Sequence, residues 1–361
     1  LVNIKIMITG EIMKKIVFTG GGTLGHIYPM IPVIKKLKNK CYLYFIGTTS
    51  GLEKALIDGL NIFTNAYYLD MQGFVRKLSF ENLKTINKYF KCKQQALDIL
   101  KDLKPNLVIG MGGYISGVVI KAALKLKIKT MIHEQNAVMG LANKMVCKKV
   151  NRVLLGLPLR KGINGVNSVL VGNPRITEIY ETYKNAEEKD LIVVVGGSRG
   201  SQVINETIIA LLPELKARAY RIVLITGSRY YQDYRSHDDG DVIRIIPFTN
   251  ELMNLFARAA LVISRSGATT ISEILGLRKI SILIPSPNVT NNHQEKNADI
   301  LASNNCAVKI TEKDLQKDNL LNKITTLLTD YNLRMQMKMN MIRIGDFTAR
   351  EKFIKEMDMI L

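Results

Sequence analysis

Three turns in this sequence carry residue types that could hold a phosphorylated sugar and move a proton on it. The first is Gly20-Gly21-Gly22-Thr23-Leu24-Gly25-His26, directly after the apolar run Lys15 to Thr19 and before a helical stretch starting near Pro29. Glycines allow a tight turn and close backbone approach, and the open amides of a helix start favour an anion or a polar sugar. The spacing fits neither a Walker A motif nor a full GxGxxG, so a purely structural turn is an equal reading of this segment taken alone. His26 adds chemistry. A neutral imidazole titrates near working pH and suits a general base, against the alternative of a histidine that only caps the helix or bonds backbone.

The second turn, Gly196-Gly197-Ser198-Arg199-Gly200-Ser201, follows the run Leu191 to Val195, and the third, Ser264-Arg265-Ser266-Gly267-Ala268-Thr269-Thr270, follows Leu261 to Ile263. Helix dipoles and open amides can neutralise a diphosphate without a cation, and no DxD or other acidic pair suited to Mg²⁺ stands beside these turns. The expectation is a site with no metal and no cofactor. Glu273 lies about one helical turn beyond Thr269 and Thr270. There its carboxylate could accept the two hydroxyls of a ribose, or merely complement the helix dipole. The amide-rich segment Asn291 to Ala298 suits sugar hydroxyls or the opening of a helix. His133-Glu134-Gln135-Asn136, after the run Thr130 to Ile132, suits either ligand contact or buried hydrogen bonding.

The elements that must position these turns alternate strand and helix. Apolar runs at Ile16 to Thr19, Cys41 to Gly47 and Leu107 to Gly110 are interleaved with amphipathic stretches such as Pro29 to Lys38 and Ile115 to Leu126. That order implies a parallel sheet with helices on both faces. A polar, glycine-bearing stretch from Arg160 to Asn167 marks the linker region. The series then restarts at Leu191 and continues through Arg221 to Thr226, Asp241 to Ile246, Leu261 to Ser264 and Ile280 to Ile284. The fold class is α/β, with two Rossmann-like domains facing across a cleft and ligands at the carboxyl ends of the strands. Leu333 to Leu361 reads as helix, closing the second domain or crossing back to the first.

Composition narrows the partners. A chain of 361 residues with 47% hydrophobic content has room for two cores, and its formal charge of +20 is spread along the sequence, favouring a polyanionic neighbour. Nucleic acid is set aside because no recognition helix, zinc-finger spacing or aromatic RNA-binding strand is present. Cys41, Cys92, Cys147 and Cys306 form no CxxC or Cys/His pattern, which fits a reducing, cytoplasmic compartment. No run approaches the roughly 20 apolar residues of a membrane span. Met71 to Leu83, however, sets Phe74, Val75, Leu78 and Phe80 beside Arg76 and Lys77, which suits an anionic membrane surface or an amphipathic segment facing the core. Leu1 to Ile12 reads as an extension ahead of Met13.

With the segments in this order, from about Met13 to Asp346, the chain resembles the peptidoglycan N-acetylglucosaminyltransferases of glycosyltransferase family 28. GGGTLGHIYP, GMGGYISG, HEQNAVMGLAN, GNPRI, VVVGGSRGSQVINE, VISRSGATTISEI and HQEKNA carry the likeness, HEQNAVMGLAN and SRSGATTISE being the specific ones. The resemblance implies a GT-B fold and inverting, metal-independent transfer of GlcNAc from UDP-GlcNAc to the 4-hydroxyl of MurNAc in undecaprenyl-linked lipid I, giving lipid II. It divides the chain into an extension 1–12, an acceptor and membrane-side domain 13–165 and a UDP-sugar domain 166–361. By position, His26 is the candidate base. Thr23, Leu24, Gly25 and Asn136 meet the sugar where donor and acceptor come together, Arg175, Ser198 and Thr249 lie at the nucleotide, Ala268, Thr269, Thr270, Ile271, Ser272 and Glu273 hold diphosphate and ribose, and Gln294 bonds the GlcNAc hydroxyls. Leu24 stands where many relatives have glycine, which matters if that position needs positive φ. The implied location is peripheral, on the cytoplasmic side of the cell membrane, with other cell-wall synthesis proteins as further partners. Another GT-B UDP-sugar transferase, a UDP-sugar 2-epimerase of the same architecture and a non-catalytic nucleotide-sugar regulator are the alternatives.

Overall fold

The computed structural model describes residues 13–51, 53–71, 81–197 and 199–361. They form two compact units, each built on one parallel sheet, and the α/β class expected from the alternating pattern is present.

The first sheet contains β1 (Lys15–Thr19), β2 (Tyr42–Thr48), β3 (Asn65–Leu69), β4 (Leu107–Gly110), β5 (Lys129–Glu134), β6 (Arg152–Leu155) and β7 (Ser168–Leu170), in the order β3-β2-β1-β4-β5-β6-β7. Ile16 lies in register with Leu43 on one side and Leu107 on the other. Successive side chains of a strand point to opposite faces, and both faces here are covered. Val17, Ile46, Val108, Ile132 and Val153 therefore pack with the helix Gly113–Lys125. Ile16, Phe18, Leu43, Phe45 and Ile109 pack on the other side with the helix Ile31–Leu37.

The second sheet contains β8 (Glu188–Val195), β9 (Arg221–Ile225), β10 (Ile243–Ile246), β11 (Ala259–Ser264), β12 (Ser281–Leu283) and β13 (Val308–Lys309), in the order β10-β9-β8-β11-β12-β13. In each sheet the chain first builds outward in one direction, then returns to the first strand and builds the other way. The reversal falls between β1 and β4 in one sheet and between β8 and β11 in the other. Open α/β sheets leave a crevice at the strand ends at such a point, because the flanking loops run to opposite faces.

Two boundaries differ from the sequence reading. Residues 160–167 are a connection inside the first sheet, because β7 pairs with β6 beyond them. The first unit accordingly continues to Pro174 and the second takes up Arg175, so the division falls later than 165/166. The C-terminal stretch is two helices, Tyr331–Ile344 and Ala349–Asp358, rather than one. The break follows Gly345, whose amide closes the first helix on the Met341 carbonyl. Residues 350–361 then group with the first unit, where Phe353 is buried with its ring 5.6 Å from that of His133 and Lys129 Nζ reaches the Leu361 carbonyl at 3.2 Å.

Candidate active site

At the reversal of the first sheet, the turn after β1 meets the turn after β4. Gly22 takes φ +81°, Leu24–His26 form one turn of 3-10 helix, and the α-helix begins only at Ile31, so no long helix start lies directly behind the glycines. Leu24 has no positive φ, since Gly22 alone takes that conformation among residues 20–26. The substitution of leucine for glycine at 24 is therefore accommodated without strain. His26 is half-buried with Nδ1 2.9 Å from the Gly21 carbonyl and 3.3 Å from Thr23 Oγ1. A carbonyl oxygen can only accept, so Nδ1 carries the ring proton and Nε2 is the basic nitrogen. The turn after β4 presses against this arrangement. A Cβ on Gly112 would lie 2.6 Å from His26 Cδ2, and one on Gly113 would lie 2.2 Å from the Gly21 oxygen. Both glycines also have positive φ, so two independent constraints exclude a side chain there.

The segment HEQN resolves differently from a ligand cluster. β5 runs on to Glu134, which places His133 and Glu134 inside the strand and, with Gln135, fully buried. Glu134 Oε2 accepts from the Gly140 amide at 2.8 Å and Asn143 Nδ2 at 2.9 Å, while Gln135 Nε2 donates to the Met111 carbonyl at 2.6 Å. These three side chains hold main chain. Asn136 is only half-buried and, within the second unit, accepts from Asn297 Nδ2 at 3.1 Å.

At the reversal of the second sheet, the turns after β8 and β11 are tied together. Arg265 Nη2 donates to Ser201 Oγ at 2.6 Å and also pairs with Glu312, while its Nη1 reaches the Ile284 carbonyl at 3.1 Å. Ser201 caps the helix Gln202–Ala217, and Gly267 stands at the cap of the helix Ala268–Leu277. Within the latter, the Ile271 amide is bonded to the Gly267 carbonyl. The amides of Ala268, Thr269 and Thr270 precede the first intrahelical bond and point out of the helix start. Ile271 and Ser272 are buried, and Ser272 Oγ bonds the Ala268 carbonyl at 2.8 Å, so they can reach a ligand only through backbone. Gln294 Oε1 accepts from the Ser286 amide at 2.9 Å, and its carbonyl accepts from Ser266 Oγ at 2.8 Å.

Glu273 is buried one turn along the same helix, with Oε1 3.3 Å from Arg175 Nη2. Arg175 also pairs with Glu178 at 2.6 Å. The contact exists because the helices Pro174–Thr182 and Ala268–Leu277 approach at Gly276, where a Cβ would fall 2.8 Å from Ile179 Cβ. Burial pushes the Glu273 carboxyl up to about 7, and the guanidinium of Arg175 limits that rise.

These two glycine-lined strand ends, one with an oriented imidazole and one with open helix amides, fit a nucleotide-sugar enzyme. Models of the N-terminal and C-terminal domains of glycosyltransferase family 28 match residues 16–155 and 191–356. The chain belongs to glycosyltransferase family 28. It is 37% identical over 357 residues to a UDP-N-acetylglucosamine--N-acetylmuramyl-(pentapeptide) pyrophosphoryl-undecaprenol N-acetylglucosamine transferase of Listeria monocytogenes, covering 94% of this chain and 98% of that protein. The enzyme of the same name from Halalkalibacterium halodurans is 37% identical over 358 residues, covering 94% and 97%. Among solved structures, MurG of Acinetobacter baumannii superposes with a TM-score of 0.74 at 26% identity, covering 95% of this chain and 99% of that one. A putative UDP-N-acetylglucosamine 2-epimerase of Listeria monocytogenes shares the fold, with a TM-score of 0.70 at 13% identity, covering 95% of each chain.

Of the family positions expected from sequence, Thr249 lies after β10, with Oγ1 accepting the Glu251 amide at 3.0 Å, beside a Phe248 ring that is 64% exposed. Ser198 and the apolar-cationic group Phe74, Val75, Arg76, Lys77, Leu78 and Phe80 lie outside the described residues, as do residues 1–12. Among the described residues no cluster of His, Cys, Asp and Glu is arranged to hold a metal ion, and no helix is long and apolar enough to cross a membrane. Sequence reasoning passed over Arg265 as a brace between two turns and Glu53 altogether. The sequence offers no signal for Glu53 beyond an acidic residue a few positions after the run Cys41 to Gly47, and an acidic residue opening a helix usually means no more than dipole complementarity.

Proposed function

We propose that the protein transfers GlcNAc from UDP-GlcNAc to the 4-hydroxyl of MurNAc in undecaprenyl-diphosphoryl-MurNAc-peptide, forming a β-1,4 bond with inversion. The observation that carries this reading is the open helix start at Ala268–Thr270 with Glu273 one turn further on, in a chain whose relatives are named for this transfer. The amides of residues 268–270 hold the diphosphate, Glu273 accepts the ribose hydroxyls while Arg175 holds its carboxylate in place, and Thr249 borders the base. Gln294 bonds the GlcNAc hydroxyls through its amide. The acceptor oxygen attacks C1, the bond from C1 to the phosphate oxygen breaks, and UDP leaves with its charge on helix amides and not on a cation. His26 Nε2 takes the hydroxyl proton, Thr23, Leu24 and Gly25 lining the sugar beside it. By family position, Asn136 serves the acceptor side and Ser198 the diphosphate.

The spread charge of +20 and the segment Met71 to Leu83 support peripheral attachment to an anionic membrane surface, where the lipid acceptor resides. Radiolabelled UDP-GlcNAc incubated with a lipid I analogue tests the reading. Labelled disaccharide-lipid is the expected product. Free UDP-ManNAc would make the protein an epimerase, and donor binding without turnover would make it a regulator.

A further inference from the structure

Glu53 stands in the first turn of the helix Glu53–Leu60, fully buried, and directs its carboxylate at the first glycine turn. Its Oε1 accepts from the Gly22 amide at 3.3 Å, from the Thr48 amide at 3.2 Å and from Thr48 Oγ1. A Cβ on Gly21 would lie 2.3 Å from that oxygen, so glycine at 21 is what lets the carboxylate come so close. The Gly22 amide belongs to the same peptide unit as the Gly21 carbonyl, and that carbonyl accepts from His26 Nδ1 at 2.9 Å. One rigid peptide plane is thus held at its N–H end by a carboxylate and at its C=O end by the imidazole.

We propose that Glu53 is a positioning residue for His26, acting through the Gly21–Gly22 peptide as an electrostatic relay. Hydrogen bonds in a chain polarise one another. A carboxylate on the amide hydrogen raises the electron density of the carbonyl oxygen, which strengthens its bond to Nδ1–H, fixes that tautomer and makes Nε2 the better proton acceptor. The effect resembles that of a carboxylate bonded straight to a catalytic histidine, with one amide inserted between them. Gly113 closes the unit, since any side chain there would strike the Gly21 oxygen and displace the imidazole. The relay rests on the reading of His26 as the base that receives the acceptor proton.

The test is Glu53→Gln, which keeps an oxygen for Gly22 and Thr48 and removes only the charge. Histidine-selective ¹⁵N NMR reads the ring directly. The chain has four histidines, and His26→Ala identifies the resonance. Wild type should show neutral His26 protonated on Nδ1 and a downfield Gly22 amide proton. In E53Q both protons should move upfield, with kcat reduced roughly tenfold and the KM for UDP-GlcNAc within about twofold of wild type. A residue that merely shapes the loop would leave kcat and the Nδ1 signal unchanged in this isosteric variant, and that result overturns the relay. If E53Q does not fold, wild-type His26 carrying its proton on Nε2 overturns it equally, and the Nδ1–H tautomer with the downfield Gly22 amide supports it. Should wild type itself fail to glycosylate lipid I, the functional reading falls while the NMR comparison still decides the relay.

Discussion

Acid should remove a definite share of stability through His133. The ring is fully buried, with Nε2 3.2 Å from the Gly172 carbonyl, Nδ1 3.3 Å from Gln135 Nε2, and the Phe353 ring edge-on beside it. Nε2 must donate to the carbonyl, so Nδ1 is an acceptor, and a second proton there would face the Gln135 donor. Burial accordingly lowers the pKa from 6.5 to about 4. The unfolded chain binds the proton first on acidification. The stabilisation is therefore complete above pH 6.5 and is lost as pH falls towards the folded value of about 4. Each unit of separation is worth about 1.4 kcal/mol, so the loss amounts to about 3 kcal/mol. Native carboxylates titrate in the same range, and the comparison with His133→Gln removes their contribution. Urea unfolding followed by tyrosine fluorescence suits a chain with 14 tyrosines and no tryptophan. The stability gap between wild type and variant should narrow by about 3 kcal/mol between roughly pH 7.5 and roughly pH 4. A gap that stays constant, or a His133 resonance titrating near its ordinary pKa, refutes the argument.

Glu273→Gln should raise the KM for UDP-GlcNAc by about tenfold or more while changing kcat little, because a charge-assisted bond to the ribose is lost; unchanged donor kinetics would remove the ribose assignment. Since Glu273 titrates near 7, wild-type donor affinity should strengthen as pH rises through that value and the carboxylate becomes a full acceptor, whereas E273Q should lack this step in calorimetric titrations. The stability effect of Glu273 has the opposite sign, its raised pKa costing stability as pH climbs from 4.5 to about 7. Gly113→Ala combines positive φ with a Cβ 2.2 Å from the Gly21 oxygen, and should cost about 1–3 kcal/mol and depress kcat; thermal melts and initial rates check both, and a variant as stable and fast as wild type would contradict the described turn. Transfer should survive excess EDTA, since the leaving diphosphate is assigned to helix amides; activity abolished by EDTA and restored by Mg²⁺ would overturn that assignment.

The sequence made the two sheets legible because their strands are buried on both faces and read as unbroken apolar runs, as at Leu191 to Val195. The glycine turns were legible because close approach and positive φ admit so few residue types, as at Gly22 and Gly197. HEQN was less so. Four polar side chains in a row suit either a ligand contact or buried hydrogen bonding, and only the continuation of β5 to Glu134 shows that the first three bond Met111, Gly140, Asn143 and Gly172. The division between units was misplaced for a similar reason: a glycine-bearing polar stretch looks like a linker until β7 is seen to pair beyond it.

What the sequence conceals is the set of charged residues that hold the turns. A turn built from main-chain donors and acceptors has no side chain of its own to fix it, so its shape must be imposed from elsewhere. The structure supplies that grip from elsewhere in the chain: Glu53, in the helix after β2, holds the Gly22 amide, and Arg265, in the turn after β11, holds Ser201 of the turn after β8. Which strand ends become neighbours depends on strand order, and the reversals at β1/β4 and β8/β11 bring together segments that no local pattern connects. Glycine spacing thus announces where a phosphate or sugar can approach the backbone. The electrostatic tuning of that backbone is a property of the sheet order, and it becomes readable only when the peptide between Gly21 and Gly22 is seen with a carboxylate on one end and an imidazole on the other.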